Sequence, residues 1–164
     1  MCGAVRRPMM DLFEMIRKEH KEIMKATERL IGSDPADRVD TMGDLIVRAL
    51  THMSAEEHSI YPAIEQLQGV YRSIGLRNEE DHYMARAVLN DLLYKGLDHE
   101  HWTAKLQLLR DLFQRHMESE EDITFGAIAG HFTQEEINEL ADKYRKTQAE
   151  LTRVGVPAST MANR

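Results

Sequence analysis

The chain has little of what small proteins use to turn, staple or anchor themselves. A single cysteine, Cys2, stands among 164 residues, so no internal disulfide, cysteine-based zinc site or iron–sulfur cluster can form. Nine glycines and four prolines fall below average usage, which excludes collagen-like and low-complexity sequence and most turn-rich all-β folds. No apolar run approaches the roughly 18 residues of a membrane span. Arg6 and Arg7 have no apolar stretch behind them, and Asp11 and Glu14 interrupt the residues beyond. No secretory or twin-arginine signal is therefore read, and the expected compartment is a reducing cytoplasm. With 21 basic and 28 acidic residues the net charge is −7, a poor match to nucleic acid or an anionic membrane. No segment alternates with period two beside hairpin turn residues.

What is present is helical. The hydrophobic content of 42% and charged content of 30% suit one soluble globular domain. Phe13, Ile16, His20, Ile23, Met24, Thr27 and Leu30 share one face of a helix expected over 10–31, which Gly32 to Pro35 closes. A second helix is expected over 38–67, with Leu45, Ala49, His52, Met53, Glu56, Ile60 and Leu67 inward and Pro62 disturbing its end. After a connection over 68–75, a third runs over 77–95, with His82, Ala85, Leu89, Leu92 and Leu93 inward. Asp98 is the natural N-cap of a fourth, over 99–123, whose inner face carries Trp102, Leu106, Leu109, Leu112, Phe113, His116, Glu120 and Ile123. Gly126 and Gly130 should break the chain. A capping box at Thr133–Glu136 opens a last helix over 134–152. The expected fold is all-α: an up-down four-helix bundle over 10–130, preceded by a tail over 1–9 and followed by a C-terminal helix and tail over 131–164.

The chemistry lies in a repeat. His52 to Ile64 aligns with His116 to Ile128 at an offset of 64 residues, with six of thirteen positions identical and Tyr61 matching Phe125. The lone inward histidines of helices one and three, in Glu19-His20 and Asp81-His82, are offset by 62. Each half is thus a helical hairpin carrying His…His-x-x-x-Glu. Residues i and i+4 stand one above the other on a helix, so His52 and Glu56 point the same way, as do His116 and Glu120. Six ionisable groups converging in a bundle interior would be costly to bury unpaired. A metal pair removes that cost, with two histidines per ion and the two carboxylates between them. Imidazole with carboxylate suits iron, manganese or zinc.

With these segments the chain resembles the hemerythrin-like HHE cation-binding family. The resemblance rests on the His20 helix, His52-x-x-x-Glu56-Glu57 with Ile60-Tyr61-Pro62, His82, and His116-x-x-x-Glu120-Glu121. It implies a four-helix bundle holding a non-haem di-iron centre. His20, His52, His82 and His116 would be terminal ligands, and Glu56 and Glu120 would bridge. The implied partner is a small diatomic molecule or peroxide, bound, sensed or reduced; no protein partner is indicated. Oxygen-carrying members place a fifth histidine where this chain has Arg86. The four-histidine, two-glutamate set is more like proteins that repair iron centres and the iron-sensing domain of an F-box protein. The repair proteins usually carry a cysteine-bearing N-terminal segment, against which this chain offers only Cys2. An oxidoreductase, an iron-dependent sensor and an iron storage or delivery protein all remain open.

Other residues are set aside. Glu57 and Glu121 lie about 140° round the helix from the site histidines and are expected to pair with solvent or basic side chains. His58, His99 and His101 are read as bystanders, and the ten methionines as core filler. Arg86 falls on the site face, either reaching out from the bundle edge or partnering a bridging glutamate.

Overall fold

The computed structural model describes residues 11–155, so the expectations for the tail 1–9, Cys2 among them, and for the end of segment 131–164 fall outside the described residues. Among those residues every regular element is helical. α1 spans Leu12–Ile31 and α2 Arg38–Glu57, joined through a 3-10 turn at Pro35–Asp37. A short α3, Ile60–Gln66, leads into α4, Val70–Lys95. α5, Trp102–Ser119, runs through one π-turn, Glu120–Thr124, into α6, Phe125–His131. α7, Gln134–Val154, is the last helix among the described residues, opened by the expected capping box between Thr133 and Glu136. α1 lies between α2 and α5, and α4 packs on α5 and on the arm formed by α2 and α3. α7 lies against α2 and α1, outside this ring. This is the expected bundle with an additional C-terminal helix. No helix is long and apolar enough to cross a membrane among the described residues.

The two duplicated helices end differently, and one pair of residues explains it. A proline ring clashes with the helical carbonyl four residues before it. For Pro62 that residue is His58, and α2 stops at Glu57 rather than continuing to 67. Pro62 then sits in the first turn of α3, where its missing N–H leaves nothing unpaired. Its counterpart in the second copy is Gly126, which keeps its N–H. The chain therefore stays helical through Gly126 and Gly130, where breaks were expected. The π-turn absorbs an extra residue, so Ile123, expected inward, is half-exposed while Thr124 is buried.

Three smaller departures follow from packing. α4 begins at Val70, directly after Gly69 at φ 73°, so most of the expected connection is helix. Asp98 does not cap a helix; it accepts a hydrogen bond from Arg38, and α5 starts later, at Trp102. Leu93 is half-exposed, because the seam of a packed helix drifts against a straight 100° count and Leu92 takes the inner position.

Apolar side chains collect in two clusters. One, with Leu30, Leu45, Met53, Leu89, Trp102 and Phe113, fills one end of the bundle. The other, with Ile16, Ile60, Ile64, Phe125, Leu140 and Tyr144, fills the other end and includes α7. Met42, Met53 and Met117 are core filler as expected, whereas Met84 is half-exposed on the outer face of α4. On α1, His20 falls between Ile16 of one cluster and Ile23 of the other, so the ionisable groups form a layer between two apolar ends.

Candidate metal centre

All six residues singled out by helical phase meet in that layer. His20 comes from α1, His52 and Glu56 from α2, His82 from α4, His116 from α5 and Glu120 from the π-turn; each is at most 3% exposed. His52 Nε2 lies 3.3 Å from Glu56 Oε1, as the i, i+4 spacing requires. His20 Nε2 lies 3.3 Å from Glu120 Oε2 and 3.9 Å from Glu56 Oε1. Across the centre, His82 Nε2 is 3.3 Å from Glu56 Oε2 and 3.1 Å from His116 Nε2. Two overlapping groups result, each with its ligand atoms within 4.8 Å of one another: His20, His52, Glu56 and Glu120, and Glu56, His82 and His116. Glu56 is common to both, whereas Glu120 belongs to the first.

The donor set fits a cation. His20 Nε2, His52 Nε2, Glu56 Oε1 and both Glu120 oxygens are buried with no hydrogen-bond partner. Such atoms are rare in native interiors because each forgoes its hydration without compensation. Here these atoms converge, and nitrogen with carboxylate oxygen is the chemistry that iron, manganese or zinc accepts.

Three of the four histidines are held from behind by a carboxylate, and the fourth, His116, has a carboxylate nearby but no hydrogen bond at Nδ1. His20 Nδ1 faces Glu121 at 2.8 Å, His52 Nδ1 faces Glu19 at 3.1 Å, and His82 Nδ1 faces Glu57 at 2.9 Å. His116 Nδ1 faces Asp81 at 3.6 Å, the longest of the four. A carboxylate at Nδ1 keeps the proton there and leaves the Nε2 lone pair for a metal. Glu19 and Asp81 serve the histidine of their own hairpin, while Glu57 and Glu121 cross to the other half. Glu57 and Glu121 therefore belong to the site. The Arg86 guanidinium forks onto Glu57, at 2.7 and 2.9 Å. Arg17 lies 3.4 Å from Glu121, and Arg115 2.8 Å from Asp81. Glu19 is held from α7, by Tyr144 and Gln148.

Two tyrosines complete the layer. Tyr61, fully buried, donates to Glu56 Oε2 at 3.0 Å and lies 3.0 Å from His82 Nε2. Tyr144 donates to Glu19 at 2.5 Å and lies 2.9 Å from His52 Nδ1. Helical phase misses Glu19, Asp81, Glu57, Glu121 and both tyrosines. The duplicated acids beside the histidines and glutamates are a usable signal; for Tyr144 the sequence carries none.

The electrostatics follow from burial set against these contacts. Burial alone would lower His20, but Glu120 and Glu56 hold its proton up to about 10. Burial drives His82 down to about 3 despite Glu57, and lowers His52 as well. Burial, reinforced by the charge of Glu120, pushes Glu56 well above the usual carboxylate range. Glu120 moves the other way: burial opposes its ionisation, and contacts with His20 and His116 overcome it. Burial also raises Glu57, yet His82 and Arg86 bring it down to about 2.

The bystanders stay outside. His58 Nδ1 donates to the Ser54 carbonyl at the end of α2. His99 and His101 occupy the turn before α5. His131 donates to the Ala127 carbonyl, and its partner in spacing, Glu135, lies in a different helix. Beside His52, His82 and His116 a very small cavity, about 10 Å³, is walled mainly by Ile23, Ala49, Ala85, Phe113, Met53 and Met117.

No curated protein matches the sequence. The fold is similar to the crystal structure of a hemerythrin HHE cation-binding domain-containing protein from Mycobacterium kansasii, with a TM-score of 0.74 at 15% identity, over 93% of this chain and 98% of that one. The sequence itself matches the hemerythrin HHE cation-binding domain over residues 11–128, a span that contains all six inward ligand candidates and all four outer carboxylates. The chain belongs to the hemerythrin HHE cation-binding domain family.

Proposed function

We propose that this is a non-haem di-iron protein whose centre reacts with or senses a small oxidant: dioxygen, peroxide or nitric oxide. The observation that carries the reading is the pair of overlapping donor groups sharing Glu56, with buried, unpartnered atoms among them. His20, His52, Glu56 and Glu120 would hold one ion, and Glu56, His82 and His116 the other. A bound iron pair would supply Lewis acidity and two one-electron redox steps to a small ligand. The protein's own part is to orient and to exclude water. Glu121, Glu19 and Glu57 fix the tautomers of His20, His52 and His82, and the apolar cavity walls keep bulk solvent from His82 and His116. Tyr61 Oη, hydrogen-bonded to Glu56, holds a proton beside the shared carboxylate, and burial keeps that proton on the phenol.

Arg86 bears on the choice within the family. Its guanidinium is committed to Glu57, so the centre has four histidines where oxygen carriers have five, leaving more positions for exchange or reduction of a ligand. The expected behaviour is irreversible oxidation in air rather than reversible oxygen carriage.

The test is anaerobic reconstitution with ferrous ion, followed by iron analysis and visible spectra on admission of air and then on degassing. Two irons per chain and a spectrum that does not return on degassing are expected. A stoichiometry of one or less rejects the di-iron reading. Recovery of the reduced spectrum makes the protein an oxygen carrier.

A further inference from the structure

α7 lies wholly outside the residues that match the family, 11–128, yet it reaches the centre. Tyr144 is completely buried. Its hydroxyl donates to Glu19 Oε2 at 2.5 Å and sits 2.9 Å from His52 Nδ1. One turn further, Gln148 Nε2 donates to the other oxygen of Glu19 at 2.7 Å. The spacing of four residues puts both side chains on one face of α7, and that face is fixed toward α1 and α2 by Ile137, Leu140 and Ala141 in the apolar cluster.

The contrast with the other three outer carboxylates gives this contact its meaning. Glu57, Glu121 and Asp81 each face an arginine from a bundle helix: Arg86, Arg17 and Arg115. Among the described residues no lysine or arginine pairs with Glu19; its partners are His52, Tyr144 and Gln148. Three histidine holders are thus secured within the ring, and the fourth depends on a helix packed against its outside.

We propose that α7 is a working part of the metal centre: Tyr144 and Gln148 are positioning residues that hold Glu19 on His52 and tie the affinity of the His20–His52 position to the seating of the C-terminal helix. The inference rests on the metal-binding reading of the site. Its physical basis is that a histidine ligand free to rotate or change tautomer binds metal more weakly. Outer hydrogen-bond partners of this kind are typically worth about ten- to a hundredfold in affinity. The position held by His82 and His116, whose carboxylates face arginines, keeps its affinity whatever α7 does. The two ions become unequal, and whatever displaces α7 loosens one of them.

The experiment uses the full chain as wild type, Tyr144→Phe, Gln148→Ala and the double variant. Tyr144→Phe keeps the ring that fills the apolar cluster, and Gln148→Ala alters a partly exposed side chain, so one of them remains folded if the other does not. Two readouts apply. In metal-free protein, nitrogen-resolved magnetic resonance follows the ring Nδ1–H protons. Those of His52 and His82 should both be protected in wild type, and only that of His52 should exchange faster in the variants. In protein loaded with ferrous ion under nitrogen, chelator competition gives two dissociation constants. One should rise about tenfold or more in the double variant, and the other should stay. An unchanged His52 proton in the double variant, or two dissociation constants that rise together, overturns the proposal. Failure of wild type to take up two ions rejects the di-iron reading instead, and leaves the His52 proton to decide whether α7 holds the residue.

Discussion

The two halves of the bundle carry the same ligand pattern on different supports. The hairpin of α1 and α2 brings His20, His52 and Glu56; that of α4 and α5 brings His82, His116 and Glu120. Both place an acid directly before the first histidine and directly after the inner glutamate, and all four of those acids face an Nδ1. The helix leaves regular α geometry just beyond that glutamate in both, by a break at His58 in one and a π-turn at Glu120–Thr124 in the other. The supports diverge: Tyr61 against Phe125, Pro62 against Gly126, the buried fork of Arg86 against the longer, half-exposed contact of Arg17. The repeat shares the candidate ligands and the acids beside them, and differs in the contacts that surround them. Under the proposed di-iron reading, the two metal positions are therefore expected to differ in strength while sharing a coordination pattern.

The largest effect should come from the glutamates, which the repeat makes equivalent and the geometry does not. Glu56→Ala removes a donor from both groups and should abolish binding of both ions. Glu120→Ala should leave one, as measured by iron content after anaerobic reconstitution. Equal loss in the two variants would show that both carboxylates bridge and that the halves are more alike than their distances imply.

Next is metal removal. A ligand at about a hundred times its dissociation constant adds about 2.7 kcal/mol per site, and about 1 kcal/mol moves Tm by roughly 2–4 °C at this chain length. Stripping one site's ion should thus lower Tm by roughly 5–11 °C, and stripping both should lower it further. Two resolved steps of loss in a calorimetric titration with chelator would show unequal positions, and a single step would show equal ones.

The arginines should separate the halves more finely. Arg86→Gln breaks a largely buried fork on Glu57 and should cost about 1–3 kcal/mol of stability, with weaker binding at the His82 position. Arg17→Gln loosens a longer, exposed contact and should cost under about 1 kcal/mol. Denaturant titration of the metal-free variants makes the comparison. Tyr61→Phe gives the first half the residue of the second; loss of its hydrogen bond to Glu56 should cost about 1 kcal/mol with both ions retained. His58→Ala should change neither stability nor iron content measurably, since its ring only returns to the Ser54 carbonyl.

Most of the fold and the inner ring of the site are legible in the sequence because both depend on one variable, the phase of each helix. A 100° count brings His20, His52, Glu56, His82, His116 and Glu120 inward, and the i, i+4 pairs confirm it locally. The same count misses what depends on neighbouring helices. Glu19, Asp81, Glu57 and Glu121 stand one residue from an inward ligand and point sideways, toward a histidine on the next helix. Their direction is decided by which helices adjoin. Phase also fails where the backbone leaves α geometry: the π-turn exposes Ile123 and buries Thr124, and Pro62 acts four residues ahead of itself. Phase puts Arg86 on the right face yet leaves its carboxylate undecided, because an angle says nothing of reach.

The crossed carboxylates set the order in which the molecule can be assembled. Glu57 serves His82 and Glu121 serves His20, the second pair separated by 101 residues of chain. Neither hairpin can orient both of its own histidines before the other has docked, and contacts so distant in sequence form late because the intervening chain must first be closed into a loop. A nascent first hairpin therefore presents a loose, incompletely oriented donor set, and firm capture of an ion waits for the second hairpin, through Glu121. The rate of metal uptake during refolding is accordingly a clock for closure of the whole polypeptide.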